Sequence, residues 1–220
     1  EKADLGVAFD GDGDRVVMAD HLGNVLDGDE ILYIIASDRL RQNVEFGGVV
    51  GTQMSNLGLQ LGLDALGVPF TRTAVGDRYV MQEMIKRDWS LGGESSGHVI
   101  CSDLSSTGDG IISALQALAA VVNSGKSLAE LRTQMNKFPQ KIINVRISRG
   151  IELVGNSAIA SAVQQVEAEL GARGRGLLRP SGTEPVLRVM VEGEDASDVA
   201  RLAEQLAQAV RDVARDPHLG

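Results

Sequence analysis

The chain has 220 residues, 43% of them hydrophobic and 23% charged. That suffices for one large domain or two small ones with real cores, and excludes a disordered tail, a collagen-like fibre and a disulfide scaffold. Lys and Arg total 21 against 30 Asp and Glu, a net charge of −9, which argues against a nucleic-acid partner but allows a local basic pocket for a small anion. The single cysteine, Cys101, leaves no internal disulfide and fits a reducing cytoplasm. Apolar runs fall far short of the roughly 20 residues that cross a bilayer, so no membrane partner is expected. Glycine is in excess, 26 residues against about 7% in average proteins, without the collagen period; the surplus belongs in turns and in loops where backbone approaches a ligand. The chain opens on Glu1, not methionine, and its first residues read as the approach to a strand, a start cut from something longer.

In chain order, Leu5 to Phe9 is a short apolar strand ending in the glycine–aspartate cluster at 10–14. Val16 to Ala19 and Val25–Leu26 flank a turn-rich stretch and predict a hairpin. A helix begins near Asp29 with Ile31, Leu32, Ile34, Ile35 and Leu40 on its apolar face. Gly47 to Thr52 reads as a strand, Ser55 to Leu66 as a helix, Pro69 to Thr73 as a strand and Tyr79 to Arg87 as a helix. Trp89 to Leu91 and Val99 to Cys101 are strand-like, and Asp109 to Val122 is a strongly apolar helix. Alternating strands and helices of this length indicate an α/β unit with a mixed, mainly parallel sheet. Composition shifts around Asn136 to Pro139. Beyond it Ile142 to Ile147 alternates like a strand, Ile159, Ala162, Val163, Val166 and Leu170 share a helical face, and two strands near Leu177–Leu178 and Val186 to Val191 enclose a loop. Val199, Leu202, Leu206, Val210 and Val213 stripe a last helix, giving a separate α+β domain of about 80 residues.

Three loops carry chemistry. Asp10 to Arg15 (D-G-D-G-D-R) sets three carboxylates at alternate positions directly after a strand. Like charges about 4 Å apart repel by roughly 4 kcal/mol at an effective dielectric near 20, so such a loop wants a cation, and hard oxygen donors suit Mg²⁺. An EF-hand would need glycine where Arg15 stands and glutamate where His21 stands, and fails; a haloacid-dehalogenase nucleophile loop fails at Asp14. Arg15 beside a metal suits a phosphate bridging both. Gly92 to His98 (G-G-E-S-S-G-H) offers a carboxylate, two hydroxyls and an imidazole for sugar hydroxyls or proton transfer, although on the residues alone an ordinary loop explains it slightly better. Arg179 to Pro185 (R-P-S-G-T-E-P) followed by Arg188 offers a phosphate cradle without Walker spacing; a plain inter-strand turn would explain the prolines and the glycine but not the pair of arginines. A weaker candidate is Arg78, which could reach an anionic substrate; a surface ion pair, or Asp77 capping a helix, is the rival account. His21 and His218 read as solvated, and Cys101 as a buried small hydrophobe.

These three motifs, in this order, resemble the metal, sugar and phosphate loops of the α-D-phosphohexomutases. V-G-D-R-Y-V at 75–80, T-G-D-G-I at 107–111 and R-V-M-V-E-G at 188–193 carry the resemblance over essentially the whole chain, and most closely to the amino-sugar branch. The resemblance implies that glucosamine 6-phosphate and glucosamine 1-phosphate are interconverted through glucosamine 1,6-bisphosphate and a catalytic phosphoserine, on the way to cell-wall precursors. Asp10, Asp12 and Asp14 would hold Mg²⁺, and Arg15 would stabilise the transferring phosphoryl group. Glu94 and Ser96 would bind sugar hydroxyls, with His98 moving a proton or positioning substrate. Arg179, Ser181, Gly182, Thr183 and Arg188 would hold the phosphate that is not reacting. Residues 1–26 would then end a metal-binding α/β domain 2, 27–137 form a sugar-binding α/β domain 3, and 138–220 a phosphate-binding α+β domain 4. The phosphoserine segment of the family, T-A-S-H-N-P-like, is not found. The expectation is therefore a C-terminal fragment, inactive alone, whose partner is the missing N-terminal half; a homodimer is compatible. Other readings are the same chemistry on mannose or glucose phosphates, which the small Ser95 disfavours, and a non-catalytic sugar-phosphate or Mg²⁺-binding module.

Overall fold

The computed structural model describes residues 2–147, 156–181 and 184–215. The chain divides into two compact units, Glu1–Lys137 and Phe138–Gly220.

In the first unit, β1 (Leu5–Phe9), β2 (Val16–Asp20) and β3 (Val25–Leu26) form an antiparallel sheet in that order. Then follow α1 (Gly28–Arg41), β4 (Val49–Thr52), α2 (Leu57–Ala65), β5 (Phe70–Thr73), α3 (Asp77–Arg87), β6 (Leu91–Gly93), β7 (Val99–Cys101), α4 (Gly110–Ser124) and α5 (Leu128–Arg132). Their sheet has the order β5-β4-β6-β7, with β4 parallel to β5 and β6, and β7 antiparallel to β6. The fold is thus α/β with a mixed, mainly parallel sheet. The chain runs from β4 outward to β5 through α2, then back past β4 to β6 through α3. Strand order therefore reverses beside β4, and it is at the carboxyl ends of strands beside such a reversal that open α/β sheets bind ligands.

Helix α1 is the centre of this unit. Ile31, Leu32, Ile34 and Ile35 are all buried, and Asp27 with Glu30 closes a capping box at its start. Each fully buried aliphatic side chain contributes about 1.5–3 kcal/mol. Met84, Val80, Val50 and Ile100 form a smaller cluster of their own, with Trp89 packed against it. The periodicity places these elements correctly but misses their ends. The strand expected at 89–91 lies at 91–93, because Gly92 and Gly93 pair with Ile100 and Val99. Helix α5 is not foreseen; at five residues it is too short to show a period, although Ser127 and Glu130 form a second capping box.

The second unit contains β8 (Gln140–Arg146), α6 (Ser157–Leu170), a 3-10 turn (Gly171–Arg173), β9 (Gly174–Pro180), β10 (Val186–Gly193) and α7 (Ala196–Arg215). Its sheet, β8-β10-β9, is antiparallel throughout. The foreseen stripe of α7 is buried together with Val189 and Val191. His218 lies outside the described residues. Among the described residues no helix is long and apolar enough to cross a membrane.

One buried group departs from the apolar pattern. Asp29, 1% exposed on α1, accepts a hydrogen bond from the Asn56 amide at Oδ2, while Oδ1 is buried with no hydrogen-bond partner. Burial, then the nearby Asp27 charge, pushes its carboxyl from an ordinary 3.8 up to about 7, against hydrogen bonds from Asn56 and Ser55 and the Arg72 charge. The folded state therefore holds this proton more tightly than the unfolded chain. The stability it contributes is complete below about pH 4 and is lost as pH rises through about 7. Relative to Asp29→Asn, the wild-type urea midpoint should fall between pH 4 and 7; a wild-type minus variant difference that stays flat across this range would contradict the assignment.

Candidate functional site

The loop between β1 and β2 closes on the Phe9–Val16 pair of the antiparallel ladder. Asp10 organises it: its Oδ1 accepts from the amides of Gly13 at 3.0 Å and Arg15 at 3.3 Å. Arg15 Nε lies 3.1 Å from Asp10 Oδ2 and 3.9 Å from Asp14 Oδ1. Burial alone would raise the Asp10 carboxyl, but the Arg15 amide, a hydrogen bond shared with Asp14 and the Arg15 charge outweigh it and hold it below its ordinary value. Asp12 is exposed. Asp14 Oδ1 is buried with no hydrogen-bond partner. Among the described residues no three acidic, His or Cys side chains are already gathered around one point. The donor set is nevertheless all oxygen, with one buried carboxylate oxygen left over, and that suits a hard divalent cation such as Mg²⁺.

The segment 94–98 is the turn of the β6–β7 hairpin, closed by Glu94 N donating to His98 O at 2.9 Å and Gly97 N to Glu94 O at 3.0 Å. It is tied to its surroundings from three sides. Gly28 N, at the start of α1, donates to Ser95 O at 3.1 Å, and Val16 N, at the start of β2, donates to Gly97 O at 3.0 Å. Glu94 Oε1 accepts from the Gly76 amide at 3.0 Å. Gly97 is required where it stands: its φ is +94°, and a Cβ there would lie 2.2 Å from the Val16 carbonyl oxygen. Ser96 is exposed, whereas His98 is buried with Nδ1 3.1 Å from Asp14 Oδ2. Two segments recognised separately in the sequence therefore lie against each other.

Arg78 stays outside that core. It is exposed, with its guanidinium 4.5 Å from the centre of the Tyr79 ring and hydrogen-bonded to the Tyr79 hydroxyl. The alternative account of this stretch needs correction: Gly76, not Asp77, is the N-cap of α3, and Asp77 instead accepts from the Arg78 amide at 2.7 Å. Sequence reasoning gave no role to 108–110. There Gly110 N donates to Gly13 O at 2.9 Å, and Asp109 caps α4. The T-G-D-G string was the available signal. Cys101 is buried, its thiol pushed up to about 11 chiefly by burial, and is inert.

In the second unit Arg179 and Arg188 are direct partners in the β9–β10 ladder. Ser181 N donates to Val186 O at 2.9 Å, and Ser181 Oγ accepts from Glu184 N at 3.3 Å. Glu184 Oε2 lies 3.9 Å from Arg188 Nη2. Gly182 and Thr183 lie outside the described residues. Like charges directly opposite on a ladder are unfavourable unless a counter-charge joins them.

This chain belongs to the phosphoglucomutase/phosphomannomutase family: the family's α/β/α domain III matches residues 27–138 and its C-terminal domain residues 142–209. Within it, the chain is 56% identical over 209 residues to the phosphoglucosamine mutase of Aeromonas hydrophila and 58% identical over 209 residues to that of Nitrosococcus oceani. Each alignment takes in 95% of this chain but only 47% and 46% of the relative, so the chain spans about half the length of the curated relatives it matches. Among solved structures, the N-acetylphosphoglucosamine mutase of Aspergillus fumigatus in complex with GlcNAc-6P and magnesium shares the fold, with a TM-score of 0.83 at 22% identity over 97% of this chain and 50% of that one.

The crossing at Gly97 is the structural joint of the site. Gly97→Ala should lower unfolding free energy by about 2 kcal/mol or more, whereas Gly11→Ala, with open space around it, should stay within about 0.5 kcal/mol. Urea denaturation of both variants checks this; equal effects would mean that the crossing is not a constraint.

Proposed function

We propose that this chain carries the metal, sugar and non-reacting-phosphate sites of a phosphoglucosamine mutase, which interconverts glucosamine 6-phosphate and glucosamine 1-phosphate through glucosamine 1,6-bisphosphate. The observation that carries this reading is the junction of loop 10–15 with loop 94–98 through Asp14 and His98. It brings a cation-seeking carboxylate group and a sugar-binding turn to one place. The 55–58% identity to relatives named phosphoglucosamine mutase supports the choice of an amino sugar.

In this reading Asp10, Asp12 and Asp14 hold Mg²⁺, which supplies Lewis-acid stabilisation of charge on a phosphoryl oxygen. Arg15, already against Asp10 and Asp14, adds a guanidinium to the same developing charge. Glu94 and Ser96 accept and donate hydrogen bonds to sugar hydroxyls, and Glu94 is pre-aligned by the Gly76 amide. Arg78 sits on the same turn as Gly76 and meets the anionic end of the substrate. Arg179, Ser181, Gly182, Thr183 and Arg188 hold the second phosphate. A T-A-S-H-N-P-like phosphoserine segment is not found in the 220 residues, so the isolated chain is proposed to bind substrate without turning it over.

Calorimetric titration of the chain with glucosamine 6-phosphate tests the cradle. Charge-assisted hydrogen bonds contribute about 1.5–3 kcal/mol each, so Arg179→Ala and Arg188→Ala should each weaken binding by about tenfold or more. Binding that is unchanged in both variants would rule out the arginine pair as the phosphate site.

A further inference from the structure

Helix α4 reverses the usual arrangement of a helix at the surface of its unit. Gly110–Ser124 contains no Asp, Glu, Lys, Arg or His. Its buried residues are all small, with Ala114, Ala117 and Ala120 set in the core around α1. Large aliphatic side chains stand on the other side: Ile111 is 58% exposed, Leu115 56% and Val122 78%. At 3.6 residues per turn these three fall within about 40° of one another, a single stripe along the helix. A surface helix normally turns charged residues to the solvent, whereas one that is apolar on both faces is covered on both. The start of α4 adjoins β1, since a Cβ on Gly110 would lie 2.9 Å from Phe9 Cδ1. Phe9 and Val7 share one side of β1 and both are exposed. Among the described residues β1 pairs only with β2, which leaves the other edge of an uncharged strand open, a feature that proteins normally shield.

We propose that the outer stripe of α4, with the open edge of β1, is the docking surface for the part of a phosphoglucosamine mutase that lies outside the matched half, resting on the reading of the chain as part of such an enzyme. The Aeromonas hydrophila relative, of which the match takes in 47%, carries as much chain again beyond the matched domains. The surface offers that chain no charge, in keeping with permanent interfaces, which are the more apolar ones. Charge argues against a second copy as the occupant. Pairing β1 with itself, antiparallel about Val7, would set Asp4 opposite Asp10, like charges facing each other across a ladder. A partner seated along β1 would border the loop at 10–15, into which that strand runs.

The test co-expresses the whole chain with the tagged remainder of the Aeromonas hydrophila protein, the part outside the match. The remainder should retain the wild-type chain in equimolar amount. Leu115→Glu puts a charge in the stripe and should cut retention by about tenfold or more, whereas Ile85→Glu, on α3 and 72% exposed, should leave it unchanged. Both residues are exposed in the chain alone, so both variants should keep its urea midpoint. Cysteine footprinting adds a readout on an intact complex. Cys101 is buried and is the chain's single cysteine, so Leu115→Cys supplies one accessible thiol. Its alkylation should slow about tenfold or more in the complex, while that of Ile85→Cys should not change. A wild-type chain that is not retained, retention undiminished in Leu115→Glu, or a Leu115→Cys thiol equally reactive in the complex would overturn the proposal. So would a chain that is dimeric alone by light scattering and monomeric as Leu115→Glu, which would make a second copy the occupant. A urea midpoint lowered by Leu115→Glu would likewise overturn it, since the face would then be covered within the chain. Titration with glucosamine 6-phosphate keeps the two readings apart: binding that persists where retention fails overturns the docking surface alone, and loss of both removes the functional reading with it.

Discussion

The site depends on one crossing of backbones, where the Gly97 carbonyl accepts from Val16 N and the Gly97 Cα lies against the Val16 carbonyl. No side chain fits between them. Because the contact is backbone to backbone, it fixes the hairpin turn of one sheet on the first residue of a strand in another, without relying on flexible side chains. The acidic loop is anchored at the same point, since Val16 closes its ladder. The remaining contacts, Asp14 to His98, Gly110 to Gly13 and Gly28 to Ser95, repeat the connection at short range. Polar groups that must meet within hydrogen-bond distance are best carried by elements held in this way.

Helix α1 shows what the arrangement demands of the core. A helix surrounded by other elements should be apolar on all sides, yet Asp29, Glu30, Asp38 and Arg39 are buried on it. Most are matched: Glu30 by Arg132 at 2.8 Å and Lys137 at 3.0 Å, Asp38 by Arg41 and Asn123, Arg39 by Asp103 and Ser90. Paired buried charges add little net stability, since desolvation offsets their attraction, but a mispaired one is costly. They therefore penalise any other seating of α1, and the start of α1 is where Gly28 holds the turn at 94–98. Asp29 is held by the Asn56 amide and Ser55, and burial, then the Asp27 charge, raises its pKa against them.

How much of this is legible in the sequence depends on how local each feature is. The stripe of α7 shows at a period of 3.6, because burial of one face is imposed within a few residues. The boundaries of β6 do not, since Gly92 and Gly93 become strand only by pairing with β4 and β7. The acidic loop and the segments at 94–98 and 179–185 stand out by composition. Their union does not: Asp14 and His98 are 84 positions apart, and nothing local in either announces the other. Gly108 is the clearest example. As a letter it is one of 26 glycines, and its meaning is the imidazole that occupies the space of its absent side chain.

The second unit solves a different problem with the same economy. An antiparallel ladder sets directly paired Cβ atoms about 4.5–5.5 Å apart, so the pairing of Arg188 with Arg179 fixes the spacing of two cations by backbone hydrogen bonds alone. Their repulsion is screened by solvent, because Arg188 is 37% exposed, and Glu184 at 3.9 Å offsets part of it. That carboxylate brings a single negative charge at long range to one arginine. A phosphate dianion brings nearly two charges and three oxygens, enough to bond both guanidinium groups at once. In the proposed phosphate role, an anion at this rung would bring a counter-charge to both arginines without any movement of the sheet.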